Sequence, residues 1–442
     1  MPNILTSLTS IFKIPELKRR VLYTLMMLVI YRVGGHVPTA GVNGQALAAY
    51  FTQQQGSLLG LYDMFVGGAF ANATIFALGI MPYISASIIL QLFSAVIPYF
   101  EKLSKMGEEG RKKITQYTRY GTVALALLQS YALSAYLQSL PPVGGIPIVP
   151  FPGFGFTLLT MLTMTTGTIF IMWLGEQIQE KGIGNGISLI IFIGIVARYP
   201  SDWLNTFRAL RIGSLNVFSL VILILIMIGI VAAVVLMTQA QRRIPVQYAK
   251  RVVGRKMYGG QSTHIPLRLN TAGVIPVIFA QSIIMLPGTV AEFFRGNLFM
   301  EGLAALLRPG GWLYNLLYLV IIIFFTYFYT AIVFNPVDLA DNMKKYGGFV
   351  PGKRPGKSTA EYIDSVLTRV TLPGGIFLAF IAILPYFLMQ GLNAPFYFGG
   401  TGLLIVVGVG LDTLSQIESH MLMRHYDGFL QKGKLRGRSR SY

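Results

Sequence analysis

The residues able to perform chemistry are few in this chain and form no recognisable catalytic or metal-binding set. The chain has no cysteine, and its four histidines are scattered at His36, His264, His420 and His425. The sequence contains no HExxH, GxSxG or EF-hand pattern. Asp412 and Arg32 are the ionisable candidates within the apolar runs, whereas ion-coupled transporters usually place several carboxylates or paired charges there. The sequence thus indicates no cofactor, no metal and no covalent mechanism.

The composition is that of a membrane protein and excludes an ordinary soluble enzyme. Of 442 residues, 53% are hydrophobic and 12% are charged. A typical globular domain carries about 25% charged residues, so this chain has about half the charge needed to cover a solvated surface.

The chain contains about ten apolar runs, and the helices that they form must position any functional site. A spanning helix needs about 20 mostly apolar residues, and the fifth run is shorter and flanked by glycine. We predict an all-α polytopic membrane protein whose spans lie at 22–37, 74–97, 118–137, 156–174, 186–196, 217–237, 272–290, 313–334, 371–389 and 399–414.

The basic residues lie mostly on one side of the membrane if these runs alternate. With the N-terminus in the cytoplasm, 30 of the 36 Lys and Arg residues fall in cytoplasmic segments, as the positive-inside rule requires. An even number of spans with both termini inside fits this division of charge, and an odd number does not.

The segment 57–70, SLLGLYDMFVGGAF, is apolar but too short to cross a bilayer. Stretches of this length are re-entrant or interfacial. One interpretation is a movable half-helix with Asp63 in its body and a hinge at Gly67 and Gly68, inserted into a central cavity. The alternative is a helix lying on the outer leaflet, and the sequence favours neither.

Two spans share an internal echo, GIMPYISA at 79–86 and GVIPVIFA at 273–280, each followed closely by Ser-Ile-Ile. A true repeat would pair the second span with the seventh, so the unit would be five spans and its second copy inverted. Inverted repeats place the working site at their interface near the midplane. Because Pro and Ile are common in spans, chance remains an alternative.

The echoed spans carry prolines, which we expect to remove a helical hydrogen bond, and a shared set of polar residues. The functional interpretation is a seam that opens, and the alternative is routine interhelical hydrogen bonding. The set comprises Pro82, Ser85, Ser87, Gln91, Pro276, Gln281 and Ser282.

Two long cytoplasmic loops, 241–270 and 336–370, are too basic and too structured in composition to be slack linkers. The loop 241–270 has seven basic residues and no acid. Such loops determine topology, contact anionic lipid or dock a partner. Their positive charge suits binding of a large anionic or acidic partner.

Long dispersed motifs resemble the SecY family, the channel-forming subunits of protein translocases. The likeness covers nearly the whole chain. The matching text includes ALGIMPYISASIILQL at 77–92, EEGRKKITQYTRYGT at 108–122, WLGEQIQEKGIGNGISLIIF at 173–192, QSTHIPLRLNTAGVIPVIFAQSII at 261–284, NPVDLADNMKKYGGFVPGKRPG at 335–356 and LLIVVGVGLDTLSQIESHM at 403–421.

The resemblance implies ten helices in two inverted five-helix halves, 1–205 and 206–430, around a central hourglass pore, followed by a basic tail at 431–442. It also implies three groups of site residues beyond the seam, which becomes a lateral gate. The pore ring maps to Ile80, Ile84, Ile187, Ile191, Ile275, Ile278 and Ile405. The plug at 57–70 includes Leu58, Leu61, Asp63, Phe65, Gly67 and Gly68. Docking maps to Arg251, Arg255, Lys256, Lys353 and Arg354.

The family further implies partners and a location. Expected partners are SecE- and SecG-type small membrane subunits, the motor ATPase SecA, the ribosome, a translocating polypeptide with its signal sequence, and anionic lipid; one or two copies of the chain could form the working unit. The expected location is the cytoplasmic (inner) membrane. The alternative function is secondary transport of small solutes, which also uses inverted repeats, and a polytopic enzyme is disfavoured.

Overall fold

The computed structural model describes residues 14–53, 58–213, 216–248, 251–253, 256–258, 262–293, 302, 305–307, 310–392 and 400–432. The helices in these ranges are α1 Pro15–Gly34, α2 Gly44–Gln53, α3 Leu58–Val66, α4 Met81–Val96, α5 Pro98–Lys105, α6 Glu108–Ser139, α7 Phe154–Lys181, α8 Gly186–Val196, α9 Tyr199–Ile212, α10 Val217–Gln239, α11 Ile275–Phe293, α12 Trp312–Val333, α13 Pro336–Lys345, α14 Lys357–Leu392 and α15 Gly400–Lys432. The strands are β1 Gln241–Tyr248, β2 Arg251–Val253, β3 Lys256–Tyr258, β4 Ser262–Arg268 and β5 Gly348–Phe349.

Each predicted span overlaps one of these helices, so the all-α polytopic prediction is confirmed, while the count of ten spans stays a prediction. Among the described residues, six helices are long and apolar enough to cross a membrane, or seven if the bent pair α4–α5 counts as one span. The helices α1 and α6 fall outside this group, and α11 is a shorter apolar helix. Both α1 and α6 begin in charged sequence, with a first-turn Glu16 in α1 and Glu108 in α6.

The second span begins later than its hydropathy predicts. Residues 75–80 form turns, and the helix starts only at Met81. Gly79 has φ +57°, and Gly273 has φ +62° at the same place before α11, a conformation open mainly to glycine. The two echoed motifs therefore build the same device, a left-handed glycine two residues before a helix.

The expectation that the echoed prolines remove a helical hydrogen bond is wrong. Pro82 and Pro276 are each the second residue of their helix. An N–H in the first turn has no intrahelical acceptor, so these prolines cost no bond and support helix initiation instead.

The helices pack around a single large apolar core. Helix α4 contacts α6 and α11, α15 contacts α8, α10 and α14, and the short helix α3 contacts α8 and α11. The helix α3 is therefore enclosed by neighbours, and residues of these helices form one continuous hydrophobic cluster.

A small β-sheet joins the two long basic loops. Its strand order is β4-β1-β5, all antiparallel, with Gln241 opposite Arg268 and Gln247 opposite Phe349. Alternating β1 residues face a second apolar core. That core comprises Ile244, Val246, Leu267, Met343, Val350 and Ile363. The prediction that these loops are not slack linkers is confirmed.

Candidate functional site

The helix α3 lies inside the helical core, with most of its described side chains buried. Leu59, Tyr62, Met64, Phe65 and Val66 are each at most 8% exposed. The Tyr62 hydroxyl donates to the Leu78 carbonyl oxygen at 2.7 Å. This position excludes a helix lying on the membrane surface. The backbone of Leu58 and Leu61 belongs to α3, while their side chains and Ser57 lie outside the described residues.

A tight turn follows α3 and is organised by Asp63. Its Oδ1 accepts the Ala71 backbone N–H at 2.8 Å, and its carbonyl oxygen accepts the Gly68 N–H at 3.0 Å. Gly67 and Gly68 both have positive φ. The predicted hinge glycines thus form the turn that reverses the chain after α3.

Two arginines from neighbouring elements hold the end of α3. Arg198, between α8 and α9, donates from Nη1 to Asp63 Oδ2 at 3.0 Å, and the Asp63 side chain is 9% exposed. Arg32, in the last turn of α1, donates to the Gly67 carbonyl oxygen at 3.0 Å. The sequence identified Asp63 and Arg32 as ionisable groups in apolar surroundings but assigned them no partners.

The seven isoleucines proposed for a pore ring all join the main core. Ile80, Ile84, Ile191, Ile278 and Ile405 are buried, whereas Ile187 and Ile275 are half-buried and pack against the same cluster. They lie on α8, α11 and α15 and at the start of α4. Of these helices, α8 and α11 directly contact α3.

The seam residues lie on two helices that pack together, α4 and α11. Ser85, Gln281 and Ser282 are buried. The Gln91 amide donates to the Ser87 hydroxyl at 3.1 Å, within α4. The two helices that carry the predicted polar set are therefore in contact, and the gate role of its residues stays a prediction.

Two buried polar atoms, one on α11 and one on α6, which packs against both α4 and α11, have no hydrogen-bond partner among the described residues. They are Ser282 Oγ on α11 and Gln129 Oε1 on the adjacent α6, and both residues are at most 5% exposed. Burying such an atom without a partner costs about 1–3 kcal/mol. Gln129 was missed in the sequence because its helix carries no echoed motif.

The proposed docking residues divide between the sheet and the loop before α14. Lys353 and Arg354 are exposed. The Lys353 ammonium lies 5.4 Å from the Tyr362 ring centroid, and the Arg354 carbonyl accepts from the buried Thr359 hydroxyl at 2.8 Å. These contacts fix the loop while leaving both side-chain charges in solvent.

The remaining docking candidates lie partly or wholly outside the described residues. Arg251 and Lys256 are in β2 and β3, with side chains outside the described residues, and Arg255 lies wholly outside them.

The turn at 182–185 is ordered by Asn185, whose side chain accepts the Ile187 and Ser188 N–H groups at the start of α8.

Comparison with known proteins gives consistent matches over nearly the whole chain. The SecY family model matches residues 74–414. "Protein translocase subunit SecY" of Escherichia coli (strain K12) is 48% identical over 428 residues, covering 96% of each chain.

Solved structures share the fold at lower identity. One described as "The plug domain of the SecY protein stablizes the closed state of the translocation channel and maintains a membrane seal" has a TM-score of 0.64 at 18% identity, and covers 95% of each chain. Sec61 from the canine ribosome–channel complex of the endoplasmic reticulum has a TM-score of 0.59 at 17% identity, with the same coverage. With this identity and coverage, the chain belongs to the SecY family.

Proposed function

We propose that this chain forms a channel that passes unfolded secretory proteins across the cytoplasmic membrane and releases apolar segments sideways into lipid. The observation that carries the proposal is α3, a short helix buried among spanning helices and held at its end by side-chain contacts. An enclosed helix of this kind can close a channel at rest and leave it when a polypeptide enters. The relative's name, a translocase subunit, supports the same function.

The isoleucine set gives this channel its seal. Aliphatic side chains on α4, α8, α11 and α15 offer no charge or fixed polar site to a passing chain. A hydrophobic constriction blocks ions by dewetting, and flexible aliphatic walls yield to polypeptides of any sequence. We assign this role to Ile80, Ile84, Ile187, Ile191, Ile275, Ile278 and Ile405.

The contact between α4 and α11 is the proposed exit into lipid. An apolar signal segment gains about 0.3–0.6 kcal/mol for each Leu, Ile, Phe or Val that reaches the membrane centre, whereas Asp, Lys or Arg costs about 2.5–3.5 kcal/mol. Apolar segments are then selected by their partition from water into lipid, and no catalytic residue is required. The unpartnered Ser282 and Gln129 atoms are consistent with an interface that is incompletely satisfied when closed.

The sheet and the loop before α14 form the proposed docking surface on the cytoplasmic side. The exposed Lys353 and Arg354 suit a motor ATPase such as SecA, the ribosome or anionic lipid. The ribosome-bound Sec61 structure supports a ribosome as one partner. The proposal also includes SecE- and SecG-type subunits, a second copy of the chain, cytoplasmic termini and a division of the chain at residue 205.

The transporter alternative has no support here. It requires a polar substrate site at the midplane, and most of the buried residues described form one large apolar cluster. The proposal assigns no reaction to the chain, so the driving energy must come from a partner.

Reconstituted vesicles test the function directly. Vesicles containing the chain and a SecE-type subunit receive SecA, ATP and a presecretory protein, and protection from external protease is measured. We expect ATP-dependent protection that disappears when charged residues replace the apolar part of the signal. Failure to protect any protein with both subunits present would overturn the proposal.

A further inference from the structure

The ion pair between Asp63 and Arg198 joins residues 135 positions apart in the sequence. We propose that Arg198 is a positioning residue: its ion pair with Asp63 latches α3 in the closed position, and the channel opens when this pair breaks. The inference rests on the proposed function and assigns a specific contact to the resting state.

The burial of Asp63 makes this contact more consequential than a surface ion pair. The Asp63 side chain is 9% exposed, and that of Arg198 is 33% exposed. A buried carboxylate left without its partner is strongly unfavourable, because little water is present to solvate it. Asp63 in its closed position therefore requires Arg198, and the ionised pair disfavours any displacement of α3 that separates the two groups.

Arg198 and Asp63 belong to elements that are anchored to different degrees. Arg198 lies between α8 and α9, and α8 packs on α7 and α15. Asp63 is on a nine-residue helix followed by a turn with two glycines at positive φ. Movement of α3 about that turn would carry Asp63 away while Arg198 stayed with the spanning helices.

A second carboxylate is ready to receive Arg198. Asp202 lies one helical turn further along α9, with its backbone N–H bonded to the Arg198 carbonyl oxygen at 3.0 Å. Side chains four residues apart on a helix lie on the same face and are neighbours. Arg198 can therefore exchange one carboxylate for another when α3 leaves, while Asp63 becomes hydrated in the opened cavity.

Arg32 contributes differently. It binds the carbonyl oxygen of Gly67 and not a side chain, so it holds the turn whatever the charge at position 63. The charge-dependent part of the latch is thus confined to Asp63 and Arg198, and substitutions at these two positions isolate it.

The position of α3 can be measured with a single thiol, because the chain has no cysteine. Met64 is 8% exposed on α3. The probe is Met64→Cys, reacted with a membrane-permeant maleimide in vesicles that contain the chain and a cysteine-free SecE-type subunit, so that the reagent reaches both faces. Slow labelling reports the closed position, and fast labelling reports displacement of α3.

We expect Arg198→Gln and Asp63→Asn each to speed labelling by about tenfold or more, since each leaves a charge or a buried amide without its ionic partner. The double variant should label no faster than the faster single variant, because both changes remove the same interaction. Arg198→Lys, which keeps the charge, should restore most of the slow labelling and shows that the variants fold. Arg208→Gln, at an exposed arginine of α9, should match the parent.

Unchanged labelling in both single variants, or fully additive effects in the double variant, would overturn the latch. Transport by the parent chain is measured in parallel. Normal transport with unchanged labelling refutes the latch alone, whereas absent transport refutes the proposed function and leaves the labelling result to report on α3.

Discussion

Gly67, the residue after α3, packs against the backbone of Gly194 in α8. A Cβ added at Gly67 would lie 2.9 Å from the Gly194 α-carbon and 3.0 Å from its carbonyl oxygen. Real side chains do not approach a backbone so closely, and the helix backbone of α8 cannot easily withdraw. The observed position of α3, the closed position in the proposed function, thus depends on two glycines from different elements meeting without side chains between them.

Gly67→Ala should loosen the closed state and raise the resting ion leak of reconstituted vesicles. The overpacking costs about 1–3 kcal/mol, in addition to the strain of a positive φ. Gly68→Ala is the matched control, because its φ is also positive but an added Cβ would meet nothing within 4 Å. We expect a leak several-fold higher for Gly67→Ala than for Gly68→Ala. Equal leaks would show that backbone strain alone matters.

Ser282, one of the proposed seam residues, provides a second test. Its buried hydroxyl lacks a partner among the described residues, so Ser282→Ala should stabilise the closed contact by about 1 kcal/mol or more. Proteins with weakly apolar signals should then be transported several-fold more slowly, while strongly apolar signals still open the seam. Protease protection of two precursors that differ only in signal hydrophobicity measures this.

Ser94→Ala provides the comparison for Ser282→Ala. The Ser94 hydroxyl lies on α4 and already donates to the Leu90 carbonyl oxygen at 2.9 Å, so its removal should not favour the closed seam. A slower transport of weak signals in both variants would contradict the role given to Ser282.

Arg354→Glu should impair motor-driven transport while leaving the fold intact, because the side chain is exposed and its loop is fixed by backbone contacts. We expect transport to fall about tenfold, the effect of reversing a charge at a docking contact. Lys344→Glu, at an exposed residue of α13, controls for overall charge. Equal losses in both variants would indicate a diffuse basic surface without a particular role for Arg354.

The sequence predicts the spans because they depend on local composition, whereas it left the segment 57–70 open between an inserted helix and a surface helix. Apolar runs of sufficient length appear as helices, and the short run at 57–70 becomes α3. The family resemblance, carried by long contiguous motifs, is confirmed by the comparisons. The roles of the ring, seam and docking residues stay predictions.

Other features depend on contacts between distant residues and could not be read from the chain. The partner of Asp63 lies 135 residues away, and charge alone does not choose between Arg198 and the other arginines on that side. Residues 75–80 are as apolar as a helix, yet they form turns because Gly79 has a positive φ. The sheet requires β5 from a second loop to pair with β1, which no local pattern indicates.

Asp202→Asn tests the exchange of carboxylates during opening. Because Arg198 is paired with Asp63 at rest, labelling of the thiol at position 64 in idle vesicles should be unchanged. Opening then leaves Arg198 without a second carboxylate, so the initial rate of transport should fall several-fold. Asp202→Glu keeps the charge and should transport at nearly the parent rate. If Asp202→Asn transports normally, Arg198 is satisfied by water once α3 has moved, and the latch has one carboxylate partner instead of two.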